Sequence, residues 1–533
     1  MKRFRILLLC ATLISAMLFG GMTVPAMAAD NGVMRDMTSA QLMGEISIGC
    51  NLGNTLDSVW IGTGKPPSAY ETGWGNPVTT KAMIQAYKDM GFTAMRIPVT
   101  WFEQMGAAPN YTVNSAWMNR VEEVVNYVLD CGMYCILNTH HEQVWLNTGK
   151  DVNVTKAQFT ALWTQIANRF KNYGDKLIFE GFNEILKKES DWSEPSAKDY
   201  ANCNTLAQAF VDTVRATGGN NAKRHLVVSV YGALHTQKAL NAFVVPTDSV
   251  KNRLIVSVHN YDPQPFCWNG VSWAADRTDW GTDSDKAAIE GMLNTIAQRF
   301  AKDNIPVLLG EFGSENKKGN SAARARHAAY VVSEAKQRGI TCFWWDNGGE
   351  YTGVSSYTGF GLLDRNKVQP IFTEVSQAIV QAAGDPVIFV PATIKEQTDL
   401  TVVGENDNKT VNGFTIGATA GSIGPKDGSI MIEFYSGNTK VASIDKIATG
   451  MVMKLIKGGQ VTDSATVILY GDVTGDGDVS APDLLQIKRH LLSISSLSGH
   501  YLLAGKITKG DTITAADLLK MKRTLLSLDS IAQ

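Results

Sequence analysis

The sequence predicts a multidomain chain: a (β/α)8 TIM barrel, a small all-β domain, and a small α-helical module. Three observations predict it. Between Gln41 and Val380 a short apolar run followed by a longer helix-period stretch recurs eight times. From about Asp385 to Tyr470 the helical period disappears, and apolar or alternating runs stand between Gly, Asn and Asp. Beyond Gly471 one phrase occurs twice. A chain of 533 residues is too long for a single ordinary core, so several domains are expected in any case.

The strand phrases, in order, are ISIGCNLGN (46–54), TAMRIPVTW (93–101), MYCILNTHHE (133–142), LIFEGFNE (177–184), HLVVSVYG (225–232), LIVSVHNY (254–261), IPVLLGEFG (305–313) and TCFWWDNGG (341–349). Helix-period stretches between them include TTKAMIQAYKDMG, SAWMNRVEEVVNYVLDCG, TKAQFTALWTQIANRFKNYG, DKAAIEGMLNTIAQRFAKDN and ARARHAAYVVSEAKQRG. Several end in glycine, a common C-terminal stop. Barrels of this class build their active sites at the C-terminal strand ends. Those ends here offer Asn51 and Asn54, Arg96, His140 and His141, Asn183 and Glu184, Tyr231, His259 and Tyr261, Glu311, and Trp345 with Asp346 and Asn347. A face used only for solubility would show scattered Lys, Glu and Ser. Glu180 lies four residues inside the end of its strand and reads as a buried, hydrogen-bonded supporting residue.

Glu184 ends the fourth strand and Glu311 the seventh, so a closed barrel sets them across its mouth. Facing carboxylates are what glycoside hydrolysis requires: one donates a proton to the leaving oxygen, and the other attacks the anomeric carbon or activates water. A gap of about 5–5.5 Å gives retention and a wider one inversion. Arg96 would favour an ionised Glu311, His259 and Tyr261 would orient the carboxylates, and Asn183 would bind a sugar hydroxyl. His140 would line the glycone side, and Trp345 offers a ring for stacking. Trp60, Trp74, Trp145, Trp268 and Trp273 suit an open cleft, although a strand-end tryptophan is commonly core or rim. The pair His140 and His141 also admits a metal-ligand reading, but further His or Asp ligands are not evident at the other strand ends.

The net charge of −2, with 44% apolar and 19% charged residues, gives no electrostatic reason to expect nucleic acid or an anionic membrane as partner. Residues 1–28 read as a secretory signal: MKRFR, then an apolar run, then Ala26-Met27-Ala28 for cleavage. No stop-transfer pattern follows, so secretion is expected. Cys50, Cys131, Cys135, Cys203, Cys267 and Cys342 match no zinc spacing and read as free, mostly buried thiols.

NLGNT (51–55), RIPVTW (96–101), LNTHHE (137–142), FNE (182–184), HNY (259–261), GEFG (310–313) and WWDNG (344–348) resemble the motifs of glycoside hydrolase family 5, in particular its endoglucanase branch. The resemblance spans residues 36–382. It implies a retaining mechanism with Glu184 as acid/base and Glu311 as nucleophile. It also implies supporting or substrate-binding roles for Asn51, Arg96, His140 with its neighbour His141, Asn183, His259, Tyr261 and Trp345, with His140 taken as the family's histidine, together with β-1,4-glucan substrates and no catalytic cofactor. A xyloglucanase or β-mannanase of the same fold is the neighbouring reading. A catalytically silent polysaccharide binder is the alternative from another class.

Residues 385–470 read as a β-sandwich-like module, a spacer or accessory domain with few aromatics for sugar binding. Residues 471–530 hold the repeat: GDVTGDGDVSAPDLLQIKRHLLSI (471–494) is echoed by GKITKGDTITAADLLKMKRTLLSL (505–528). Asp472, Thr474, Asp476, Asp478, Ser480 and Asp483 stand in an EF-hand-like pattern around Gly477. With its helices, the duplication resembles a type I dockerin. That implies structural Ca2+ and a cohesin partner on a scaffold of cellulosome type. In the second copy Lys506 and Gly510 replace two ligand positions while Thr508, Thr514 and Asp517 stay in register, so one good and one degenerate calcium site are expected.

Overall fold

The computed structural model describes residues 32–533 apart from 302, 304, 349, 352–356, 387–392, 405–407, 427–429 and 458–459. The expected signal segment and the whole run VIFVPA (387–392) fall outside the described residues. Two compact units divide at Phe389 and Val390.

In the first unit eight parallel strands close into a barrel: β1 Gly49–Asn51, β2 Ala94–Ile97, β3 Tyr134–Asn138, β4 Leu177–Glu180, β5 Leu226–Ser229, β6 Leu254–Asn260, β7 Val307–Phe312 and β8 Ile340–Trp344, with β1 paired to both β2 and β8. Seven lie inside their phrases, and β8 starts one residue before its own, at Ile340. The intervening helices start where side-chain acceptors cap them. Thr80 caps Lys81–Asp89, Asn114 caps Ser115–Asp130, Asp151 caps Val152–Arg169, and Ser196 forms a capping box with Asp199 on Ala197–Ala216.

Strand side chains alternate between the barrel interior and the helix layer. In β4, Leu177 and Phe179 join the large core shared with the helices, whereas Ile178 joins a separate interior cluster with Ala94, Ile136, Val227, Ile255, Leu308 and Phe343. Two residues on from Ile178, Glu180 belongs to the interior set; two on from Ala94 stands Arg96. The barrel therefore has an apolar floor and a polar layer above it. A short helix, Ser39–Gly44, seals the floor with Leu42 and Met43, and Met37 and Ile46 complete the seal. Cys50, Cys131, Cys135, Cys203, Cys267 and Cys342 are all unpaired.

Two strand pairings shift register near the C-terminal face. In β6–β7 the shift falls between Val258 and His259, and in β7–β8 between Leu309 and Phe312. Such irregularities re-aim side chains. Here they bring His259 level with Glu311.

The second unit begins with one six-stranded sheet, not the two packed sheets expected. Its strand order is 401–403, 410–412, 460–467, 452–457, 430–436, 439–440. Val452–Lys457 is a strand that its Gly-free, Lys-interrupted sequence did not announce. GFTIGATAG and most of KVASIDKIATG, expected as strands, are turns pinned by an isolated bridge from Thr419 to Lys446. IKEQ, expected as strand, is a single helical turn boxed by Thr393 and Glu396. The duplicated segment supplies helices Ala481–Leu491, Gly499–Ala504 and Ala515–Leu525, the first and third each entered through a capping box. No described helix is long and apolar enough to cross a membrane.

Leu42 is fully buried in the seal of the barrel floor. Leu42→Ala is expected to destabilise the barrel by about 2–5 kcal/mol, read as a lowered midpoint in guanidinium unfolding.

Candidate active site

Arg96 stands at the centre of the polar layer, wholly buried. All five of its N–H donors are used. Nε donates to Glu180 Oε2 at 2.6 Å and Nη2 to Glu180 Oε1 at 3.2 Å. Nη1 donates to Asn51 Oδ1 and to Glu311 Oε1, both at 2.9 Å, and Nη2 to Asn183 Oδ1 at 2.8 Å. Glu180 is thus the guanidinium's bidentate partner and does not reach the mouth. Asn51 is a clamp: its Nδ2 donates to the carbonyls of Gly310 and Trp344, tying β1 to β7 and β8. Asn183 spends its carbonyl oxygen on Arg96 and keeps its amide donors for another acceptor.

Glu311 takes a second hydrogen bond on Oε2, from the Tyr261 hydroxyl at 2.9 Å. Tyr261 is held between the rings of Trp268 and Phe360. His259 Nδ1 bonds Glu184 Oε1 at 2.7 Å and lies 3.6 Å from Glu311 Oε2. A carboxylate oxygen of Glu184, one of Glu311 and a His259 nitrogen all come within 4.8 Å of one another. Gly310 makes this approach possible: a Cβ there would lie 2.6 Å from Ser257 Oγ and 3.0 Å from His259 Nε2.

The two carboxyls sit in opposed environments. For Glu311 burial pushes the pKa up, but the charges of His259 and Arg96 and the hydrogen bonds from Tyr261 and Arg96 outweigh it and hold it below the ordinary range. For Glu184 burial also pushes up, and the bond to His259 and its charge do not offset it, so it lies above the ordinary range. Burial lowers His259, yet the two carboxylates win and leave it raised. Glu184 is the more open of the pair, its side chain 21% exposed against 7% for Glu311. A proton held on one group beside a permanently ionised neighbour is the division of labour that acid-assisted displacement uses.

Trp345, His140, His141 and Trp74 form an aromatic tier on the same face. Trp345 and His140 are parallel, with centroids 5.7 Å apart, and His141 contacts both His140 and Trp74. Burial first, then His141, Arg96 and His259, hold His140 far below its ordinary pKa, so it is neutral. Asp57, His140 and His141 bring ligand atoms within 4.8 Å of one another. Asp57, however, spends its oxygens on the N–H groups of Asn54 and Thr55, fixing the NLGNT turn. Among the loop tryptophans, Trp145 is buried against Glu142, with its indole N–H donating to that carboxylate, so it is rim structure and not a platform. Trp60 and Trp273 are well exposed. Tyr231 is also withdrawn: it is buried against Tyr200, and its hydroxyl accepts from the Lys187 N–H.

Supporting residues that the strand-end reading missed lie in loops. Arg365 donates to the carbonyls of Gly53 and Asp346 and pairs with the Asp346 carboxylate, and Asn76 bridges the carbonyls of Asn54 and Asn347. Together they lock the turns after β1 and β8. Their signal in the sequence is only a polar residue in a loop.

In the duplicated segment, Asp472 and Asp483 are both fully buried. Asp472 accepts from the backbone N–H groups of Gly475, Asp476, Gly477 and Thr449; Asp483 accepts from Val473, Thr474 and Ser480. Among the described residues no Lys or Arg pairs with either. Burial and the neighbouring Asp483 charge raise Asp472 above its ordinary range. Two buried acids surrounded by neutral donors fit a divalent cation. The Asp478 carboxylate, expected as a ligand, instead pairs outward with Lys446, which leaves its backbone carbonyl as its contribution to such a loop. In the second copy Asp517 is satisfied by four bonds from Thr508 and Thr514, and they outweigh burial to keep it below its ordinary range.

A closed (β/α)8 barrel with a facing acid and carboxylate at its mouth defines the class of carboxylate-pair glycoside hydrolases. Residues 61–351 match the cellulase family, glycosyl hydrolase family 5, and residues 470–526 match the dockerin type I domain. Endoglucanase B of Clostridium cellulovorans is 41% identical over 72% of this chain and 84% of its own length. The cellulase/esterase CelE of Acetivibrio thermocellus is 43% identical over 66% of this chain and 41% of its own length. A solved structure, the GH5-4 broad specificity endoglucanase from Ruminococcus champanellensis with bound cellotriose, superposes with a TM-score of 0.61 at 42% identity, covering 65% of this chain and 99% of that one. The chain belongs to glycosyl hydrolase family 5 and carries a type I dockerin, a domain that binds structural calcium and pairs with cohesins.

Because Glu180 neutralises a buried guanidinium, Glu180→Ala leaves that charge short of its main partner. The barrel is expected to lose about 3–5 kcal/mol of stability, measured by chemical unfolding beside wild type.

Proposed function

We propose that the chain is a secreted endo-β-1,4-glucanase that hydrolyses cellulose-type and related β-glucans with retention, recruited by its dockerin to a scaffold of cellulosome type. The observation that carries the mechanism is the approach of Glu184 and Glu311 to within 4.8 Å in opposed environments. With one oxygen of each carboxyl this near the other, the pair supports the retaining separation of about 5–5.5 Å over the inverting one of about 6.5–9.5 Å.

In this reading residues 36–382 are the catalytic domain. Ionised Glu311 attacks the anomeric carbon. As that C–O bond forms, the glycosidic C–O bond breaks and Glu184 gives its proton to the leaving oxygen. Glu184, now a carboxylate, then takes a proton from water, which attacks the same carbon and releases Glu311. Arg96 and Tyr261 hold Glu311 ionised and aimed. His259 holds Glu184 in place, and Asn183 donates to a hydroxyl of the sugar beside the nucleophile. Trp345 with His140 presents the ring face for stacking. The similar proteins, endoglucanases and one broad-specificity enzyme with bound cellotriose, support a β-1,4-glucan substrate. The expected signal segment and the dockerin together support secretion. In residues 471–530 the first loop holds calcium through Asp472, Thr474, Asp476, Asp478 and Asp483, with bound Ca2+ supplying the positive charge that the buried acids lack.

The panel that tests this is reducing-end release from carboxymethylcellulose, barley β-glucan, xyloglucan, mannan and xylan. Activity on the glucans is expected, lost in Glu311→Gln and cut by about 10²–10⁴-fold in Glu184→Gln. The first anomer seen by proton NMR is expected to be β. Hydrolysis of mannan alone would move the substrate, and binding without hydrolysis would replace the enzyme reading.

The pH profile of kcat/KM carries a second expectation. Glu311 lies low, so activity is gained as pH rises through its pKa; Glu184 lies high, so activity is lost as pH rises through its own. Tyr261→Phe removes a bond that favours the Glu311 carboxylate. The acid limb is expected to move up by about one pH unit, with the alkaline limb nearly unchanged.

A further inference from the structure

None of the residues placed at the hydrolytic site comes from the sheet that precedes the dockerin. Of its aromatics, Phe414 and Phe434 are packed on each other in its own core, so they cannot present rings to a sugar. What the sheet does touch is the first calcium loop.

The chain crosses from sheet to dockerin without a linker. Strand 460–467 ends at Val467, and the side chains that follow alternate between two cores. Val467 and Leu469 belong to the core of the sheet, while Ile468 belongs to the core of the dockerin, against which Tyr470 also packs. The backbone is held on both sides: Ile468 N–H donates to Val411 at 2.8 Å, and Gly471 N–H donates to Ala504 at 2.9 Å. At the other end of the chain, the Gln533 side chain bonds both N–H and C=O of Tyr470.

The turn 446–450 of the β module then lies directly on the loop. Thr449 N–H donates to Asp472 Oδ2 at 2.9 Å, and its hydroxyl bonds the backbone of Leu469 on both sides. Lys446 Nζ pairs with both oxygens of Asp478 at 2.6 and 2.7 Å. Gly477, at φ +80°, approaches so closely that a Cβ would lie 2.8 Å from the Ile447 carbonyl oxygen. The first ligand position of the loop is therefore oriented in part by a backbone donor from another module.

We propose that the module before residue 470 is a buttress for the first calcium loop, so that residues 393–533 form the working scaffold-docking unit and calcium bound at that loop stabilises the sheet as well as the helices. The inference rests on the calcium-binding reading of that loop. A donor that fixes Asp472 lowers the ordering cost of binding. By the same linkage, binding suppresses opening of whatever is folded with the loop.

Hydrogen–deuterium exchange on the intact chain tests this, comparing chelator-treated protein with protein in calcium at about a hundredfold above its dissociation constant. Opening of the unit should become about a hundredfold rarer. Peptides covering 446–456 and 461–470 should slow by that factor together with 471–491, while barrel peptides covering 94–138 stay unchanged. In Asp472→Ala the calcium response of 446–470 should vanish. Protection confined to 471–530 overturns the inference and leaves the calcium reading standing. No response in any peptide overturns both. A response of 446–470 that survives Asp472→Ala also overturns it, because it would not pass through the first loop.

Discussion

One buried guanidinium organises the catalytic end of this barrel. Arg96 rises from β2 and binds residues at the ends of β1, β4 and β7 with every donor it has. Removing such a cation from water costs several kcal/mol, and only excellent geometry offsets it. Glu180, Glu311, Asn51 and Asn183 supply that geometry between them. The consequence is mechanical as well as electrostatic: none of these strand ends can shift without breaking a charge-assisted bond. The same cation helps hold Glu311 below the ordinary carboxylate range, whereas Glu184, which has no direct bond to it, lies above that range.

Around this anchor the barrel is layered by polarity. The apolar floor from Ala94 to Phe343 excludes water from below and gives the polar layer a low-dielectric base. Close approach is then a matter of space. Gly310 yields room to His259, and the register shifts in β6 and β7 turn His259 toward both carboxyls. The loops add a second constraint through Arg365 and Asn76, which fasten the turns bearing Asn54 and Asn347 to one another.

The C-terminal unit follows a different economy. A duplicated module of this size has a small core, and here its core is extended by Ile468, just after the preceding strand. Its two loops have diverged in chemistry. Both keep a buried Asp held by hydroxyl and backbone donors, Asp483 and Asp517; the first also keeps Asp472 and Asp476, where the second has Lys506 and Gly510. The contact with the sheet falls on the loop that retained its acids.

Much of this was legible in the residues alone. Period-two alternation and helix caps are local, so the eight strands, their polar ends and the order of the modules could be read directly. Glu180 could be read as buried because it lies four residues inside the end of its strand. Arg96 and Glu311, 215 residues apart, could be paired because both end strands; the bonds of Arg96 to Glu180, Asn51 and Asn183 could not, since they form only when the sheet closes. For the same reason the gap between Glu184 and Glu311, the burial of Trp145, and the roles of Arg365 and Asn76 awaited the fold. In the β module the runs 413–421 and 440–450 looked like strands, yet they are mostly turns joined by one isolated bridge, because strand formation depends on a neighbouring edge more than on propensity. The sequence by itself determined which residues reach the barrel mouth and which loop keeps its acids. The tertiary structure decided which of them touch, because closure and register set distances that no local pattern encodes.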